Sequence, residues 1–222
     1  MGTRLGTLIP KPLTALVNEK TILDFQVDRL SKVVGLDNII VVVGYKKEMI
    51  MEKFPDLVYV YNNAYAQTNT AKSLLRGLTK VEEDTIHLNG DVYFDIGILA
   101  LLIKSGYSAC IVNRARCRDE EIKYNVKENG SIKELSKEVR NGLGEALGIN
   151  MIKKNDIAMF REELATVANS DYFEKALENL TLSNRMHLRP VDIGQLYCRE
   201  IDFEEDLIEV RKQLGCDLPT LN

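Results

Sequence analysis

The sequence has no tryptophan, only two histidines and only four cysteines in 222 residues. Cys110, Cys117, Cys198 and Cys216 show no CxxC spacing and stand near no histidine pair, which excludes the usual zinc sites and leaves free thiols in a reducing compartment. No apolar run is long enough to span a bilayer: "NIIVVVG" and "IGILALLI" are the longest. A basic leader followed by a small-residue cleavage site is also missing, so a cytoplasmic protein without membrane partners is expected. The net charge is -4 and the basic residues are dispersed, with no stripe for a nucleic-acid backbone to follow. There is no Ser-His-Asp constellation, and no GxGxxG after a strand, which argues against a Rossmann dehydrogenase. Repeats, low-complexity tracts and linkers are lacking too, so residues 1–222 are read as one domain.

What is present alternates. "TILDFQVDRLSKVVG" sets Leu23, Val27, Leu30 and Val34 on one helical stripe, opened by Thr21 and Asp24 and stopped by Gly35. "NIIVVVGY" reads as a strand buried on both faces. Helix around "KKEMIMEKF", strand "LVYVYN", helix "NTAKSLLRGLTKV", strand "TIHLNGD", helix "IGILALLIKS" and strand "YSACIVN" follow. That order predicts an α/β fold with a Rossmann-like, doubly wound, mostly parallel sheet. From Glu121, "IKYNVKENGSIKELS" breaks the rhythm with an Asn-Gly turn and predicts an antiparallel β-hairpin insertion. A strand "GEALGINMI", two helices, a strand "QLYCREID" and the helix "FEEDLIEVRKQL" complete the chain.

Ligands of open α/β sheets collect at the carboxyl ends of strands, and three stretches there carry suitable chemistry. In "GTRL" with "PKPL", Gly2 lets backbone approach an oxyanion while Arg4 and Lys11 supply positive charge; the plain alternative is a solvated basic loop. Asp91 in "LNGDVYF" follows a hydrophobic strand, as a Mg²⁺ ligand or as a helix N-cap. Asp202 in "REIDFEEDL" stands at another strand end, although the acidic start of the next helix accounts for its surroundings as well. His87 lies inside a strand with no second ligand at metal spacing and is read as a core or edge histidine.

In this order, "GTRL…PKPL", "NGDVYF" and "EIDFEEDL", with "NTAKSL" and "GEALGI" between them, resemble the NTP-transferase family of nucleotidyltransferases. Within it they look most like the small bacterial branch similar to CTP:phosphocholine cytidylyltransferase. Family members open with a strand and a signature of the form "IILAAGxGTRL…PKPL", and this chain starts inside that signature. The expectation is therefore that the first strand is missing, about ten residues for one strand and a turn. A gene fragment, a misassigned start at Met1 or a trimmed chain would each produce this, and activity of the shortened chain is in question.

The resemblance implies attack of a phosphate or phosphonate oxygen on the α-phosphorus of CTP, release of pyrophosphate, and Mg²⁺ as cofactor. It assigns Arg4 and Lys11 to the triphosphate, and Gly2, Thr3, Asn69, Ser73 and Asp91 to the nucleotide. Asp91 and Asp202 would hold Mg²⁺. Lys137 would reach the acceptor phosphate, or stand solvated at a strand edge. Glu145 would touch the acceptor or cap its surroundings, and Asn69 is also readable as a helix cap. A choline acceptor would want an aromatic and acidic cage, for which Tyr124, Tyr172, Tyr197 and Glu145 are the candidates. Without tryptophan, an aminoalkylphosphonate or phosphorylated amide suits the chain at least as well. The expected protein is a monomer or homodimer that supplies precursors for cell-surface polymers. The alternatives are a sugar-1-phosphate nucleotidylyltransferase and a non-catalytic nucleotide-binding module.

Overall fold

The computed structural model describes residues 8–115, 117 and 121–215, so Gly2, Thr3 and Arg4 lie outside the described residues. A 3-10 turn at Lys11–Leu13 leads to a short antiparallel pair, β1 (Ala15–Val17) and β2 (Lys20–Thr21), and then to α1 (Ile22–Val34). The expected alternation follows: β3 (Ile40–Val43), α2 (Lys47–Lys53), β4 (Val58–Tyr61), α3 (Thr70–Leu78) and β5 (Thr85–Leu88). Next come β6 (Val92–Phe94), α4 (Gly97–Ser105) and β7 (Ala109–Asn113). The hairpin is β8 (Lys123–Val126) and β9 (Ile132–Ser136), and it feeds β10 (Gly144–Ile152). The chain closes with α5 (Lys154–Thr166), α6 (Phe173–Leu182), β11 (Arg189–Asp192), β12 (Cys198–Glu200) and α7 (Glu204–Gln213).

β10 organises the large sheet. It pairs antiparallel with β7 along one edge, and with β8 and then β5 along the other. β11 pairs in parallel with β7, and β3 with β4. Hence β5, β7 and β11 share one direction, and β10 runs against them because it returns from a hairpin without a crossover helix. The doubly wound layout is present, with β10 and the hairpin strand β9 reversed in the large sheet.

All nine residues of β10 are buried, and its side chains alternate between two cores. Ala146 and Ile152 join Cys110, Val112 and Tyr124 beneath α3, α5 and α6. Leu147, Ile149 and Met151 join Ala109 and Ile111 beneath α4. β3 differs from expectation: only Val43 is buried, and β4 is its one strand partner among the described residues. Val58 and Tyr61 on β4 are exposed. The described thiols of Cys110, Cys117 and Cys198 are free, as expected.

Helix α1 carries the capping box read from Thr21 and Asp24. The Asp24 carboxylate accepts the Thr21 amide at 2.7 Å, and the Asp24 amide donates to Thr21 Oγ1 at 3.3 Å. Its packing face holds a residue that periodicity passes over. Gln26 is buried, and its Nε2 donates to the carbonyls of Asn89 (2.9 Å) and Val92 (2.8 Å), clamping both sides of the turn that carries Gly90 and Asp91. Gly90 packs closely there, since a Cβ would stand 3.0 Å from Pro12 Cγ and press on it.

His87, on β5, is buried beside Phe173 (ring centroids 4.8 Å apart) and Phe160 (5.9 Å), and neither ring nitrogen has a hydrogen-bond partner. Burial pushes its pKa down to about 3, so it is a neutral core residue.

Two stability predictions follow from these contacts. An unfolded chain protonates His87 near its ordinary 6.5, whereas the fold holds it neutral to about 3. Its contribution is fully present above 6.5 and is lost as pH falls between those values, by about 1.4 kcal/mol per pH unit. Denaturant titrations of His87→Leu across that window should show a shallower acid decline than wild type; parallel declines would contradict this. Gln26→Met should lower stability by about 1–3 kcal/mol, because two buried carbonyls lose their donor. An unchanged thermal midpoint would show that the clamp holds nothing.

Candidate active site

The sequence suggests a helix soon after Asp91, but a strand comes first. Val92, Tyr93 and Phe94 are all buried, and as β6 they pair antiparallel with β12, Phe94 opposite Cys198 and Val92 opposite Glu200. The ladder continues as the Ile201 amide donates to the Asp91 carbonyl at 3.0 Å. This pairing brings Asp91 and Asp202 to one place from distant parts of the chain.

Between them stands Lys11. Its Nζ donates to Asp91 Oδ2 at 2.7 Å and to Asp202 Oδ1 at 2.5 Å. Burial opposes the charge on this ammonium, but the Asp91 charge and its hydrogen bonds to both aspartates outweigh that and hold its pKa above the ordinary value. The backbone of Lys11 is fixed between Pro10 and Pro12, and its carbonyl accepts the Thr14 amide at 3.0 Å. Asp202 is braced from behind: its amide and that of Phe203 donate to Asp206 Oδ2 at 3.0 and 2.9 Å. Asp206 Oδ1 in turn binds the buried Arg199 at 2.7 Å.

Lys11, Asp91 and Asp202 line a cleft of about 350 Å³. Lys137, Tyr172 and Thr70 line it as well, with the Lys137 ammonium 5.6 Å from the centre of the Tyr172 ring. Five polar lining residues are absent from the sequence-based site: Thr70, Asn89, Glu121, Glu174 and Glu200. Glu200 was accessible to pattern reading, because on a strand it shares a face with Asp202. Its Oε1 accepts from Asn89 at 3.2 Å, and Gly148, left-handed at φ 62° in a bulge of β10, leaves the room that a Cβ would take from that carboxylate. Burial, then repulsion from Asp91, Glu174 and Glu121, pushes the Glu200 pKa well up. Glu174, in the first turn of α6, is pushed up to about 7, chiefly by burial.

The other expected site residues lie elsewhere. Asn69 caps α3: its Oδ1 accepts the Thr70 amide at 2.8 Å and its Nδ2 donates to the Ser170 carbonyl at 3.0 Å, so its neighbour Thr70 is the residue that reaches the cleft. Ser73 accepts from Asn62 at 3.0 Å and does not line the cleft. Glu145 is buried on β10 beside a separate small cavity bordered by Glu121, Arg199 and Glu200. The acceptor role expected of Tyr124 is corrected: strand alternation turns it into the core, where its hydroxyl accepts from Arg114 Nε at 3.3 Å. Of the four cage candidates only Tyr172 reaches the cleft, since Tyr197 packs on Tyr93.

Among the described residues no cluster of three or more His, Cys, Asp or Glu side chains is arranged to hold a metal ion. Two carboxylates nevertheless fit Mg²⁺, whose remaining positions phosphate oxygens and water fill. Asp91 Oδ1 supports the fit: it is buried and has no hydrogen-bond partner. No helix among the described residues is long and apolar enough to cross a membrane.

No family model matches the chain. Its sequence is 29% identical over 171 residues to D-glycero-alpha-D-manno-heptose 1-phosphate guanylyltransferase of Campylobacter jejuni, covering 72% of this chain and 76% of that protein. Its fold is similar to that of CTP:phosphocholine cytidylyltransferase from Streptococcus pneumoniae, with a TM-score of 0.73 and 18% identity over 96% of this chain and 94% of that one. The inositol-1-phosphate CTP transferase from T. maritima gives a TM-score of 0.75 at 18% identity, over 98% of this chain and 94% of that one. The chain is thus similar in sequence to a sugar-phosphate nucleotidyltransferase and shares the fold of two cytidylyl-transferring enzymes.

Proposed function

We propose that the protein transfers a nucleotidyl group from a nucleoside triphosphate, CTP in the first instance, to a small phosphorylated or phosphonate acceptor, releasing pyrophosphate. The observation that carries this is Lys11 held between Asp91 and Asp202 in a cleft whose wall also presents Lys137. An acceptor oxygen attacks the α-phosphorus, the bond to the β-phosphate bridging oxygen breaks, and that oxygen leaves with pyrophosphate. No covalent enzyme intermediate is required, so the work is positioning and charge neutralisation. Lys11 faces the triphosphate and the charge that builds on the leaving group. Lys137 attracts the acceptor phosphate. Asp91 and Asp202 would hold Mg²⁺, which when bound neutralises phosphate charge. A cytoplasmic protein, monomeric or dimeric, that makes activated precursors for cell-surface polymers agrees with this reading.

A second reading, transfer to a sugar 1-phosphate, is favoured by the similarity to the heptose 1-phosphate guanylyltransferase. The carboxyl groups of Glu174 and Glu200 in the cleft suit hydroxyl donors, which supports the same alternative.

Pyrophosphate release decides between them. The assay takes CTP, UTP, ATP and GTP with Mg²⁺ against small phosphorylated alcohols, phosphonates and sugar 1-phosphates. It is run on the 222-residue chain and on one extended by in-frame codons upstream of Met1. Release with one nucleotide and one acceptor, reduced by about a hundredfold or more in Asp91→Ala, is expected. Silence of both folded proteins with every pair would leave a nucleotide-binding module in place of an enzyme.

A further inference from the structure

Resting on the nucleotidyltransferase reading, the inference concerns how charge is handled before substrates arrive. One ammonium satisfies one oxygen of Asp91 and one of Asp202, while Asp91 Oδ1 stays buried with no partner. A buried carboxylate oxygen without a donor is costly, so the pair asks for more positive charge than Lys11 delivers. A divalent ion bound to the same two carboxylates would set its two charges against an ammonium already within hydrogen-bonding distance of both. The two cations therefore compete for one position. Lys11 can yield it without moving the fold, because Pro10, Pro12 and the Thr14 amide fix its backbone while its four-carbon stem rotates.

We propose that Lys11 is a resident placeholder cation: it fills the metal position between Asp91 and Asp202 until a nucleoside triphosphate draws its ammonium onto phosphate oxygens, so that divalent metal enters with the nucleotide and not before it. The exchange never leaves the two aspartates bare. It also lowers the repulsion that a triphosphate meets on entering a cleft lined by Asp91, Glu121, Glu174, Glu200 and Asp202. Lys11 thus has a role before the chemical step as well as during it.

Mn²⁺ binding to the full chain without nucleotide, followed by the electron paramagnetic resonance of the free ion, tests the proposal. Lys11→Gln should bind one Mn²⁺ about tenfold or more tightly than wild type, the factor expected when the open form is a tenth or less of the population. Lys11→Arg should bind as weakly as wild type, and Asp91→Asn added to Lys11→Gln should abolish the gain. Lys11→Met serves the same purpose if circular dichroism shows that Lys11→Gln does not fold. Equal affinity in wild type and the uncharged variant would overturn the exchange. Retention of labelled CTP or GTP by wild type, with and without Mn²⁺, separates the two levels. Metal-dependent retention beside equal Mn²⁺ affinities overturns the exchange alone, and no retention under any condition overturns it together with the nucleotidyltransferase reading.

Discussion

Asp91 and Asp202 sit close enough to share one ammonium, and such closeness of two carboxylates demands a cation between them. Around this constraint the rest of the site is built. The β6–β12 ladder brings the two residues together; Gln26 clamps the turn that carries Asp91; Asp206, anchored to buried Arg199, braces the loop that carries Asp202. The prolines around Lys11 fix the origin of its side chain, and Pro12 packs so closely on Gly90 that a Cβ there would have to displace it.

The same economy explains the electrostatic division of the cleft. In the cleft two aspartates are neutralised by a lysine whose pKa they raise. In the same cleft, Glu174 and Glu200 have no such cation at hydrogen-bonding distance among the described residues, and burial pushes both toward the protonated form. A protonated carboxyl group donates as well as accepts, a property suited to hydroxyl or amide groups of an acceptor.

Much of this architecture was legible because the helices and strands carry clean periods. The stripe and capping box of α1, the Asn-Gly hairpin and the strand β10 appear where the sequence suggests them. The reversal of β10 follows from its arrival through a hairpin, but its three partners are long-range pairings that no local pattern encodes. Lys11, Asp91 and Asp202 were found because charged residues at strand ends follow a general rule of open sheets. Asn69, Ser73 and Tyr124 took other places because helix capping, a hydrogen bond to Asn62 and strand alternation decided where their side chains point. Glu174 and Gln26 were missed for the opposite reason: on an amphipathic helix a polar residue is expected outside, and both are inside.

The central claim is that Asp91 and Asp202 act as one unit around one cation, and a double-substitution cycle tests it most directly. Nucleotidyl transfer would be measured for wild type, Asp91→Asn, Asp202→Asn and the double variant under saturating substrates. A unit predicts gross non-additivity, with the double variant hardly slower than the slower single variant. Losses that multiply would mean that the two carboxylates serve separate purposes and that their meeting on Lys11 is incidental.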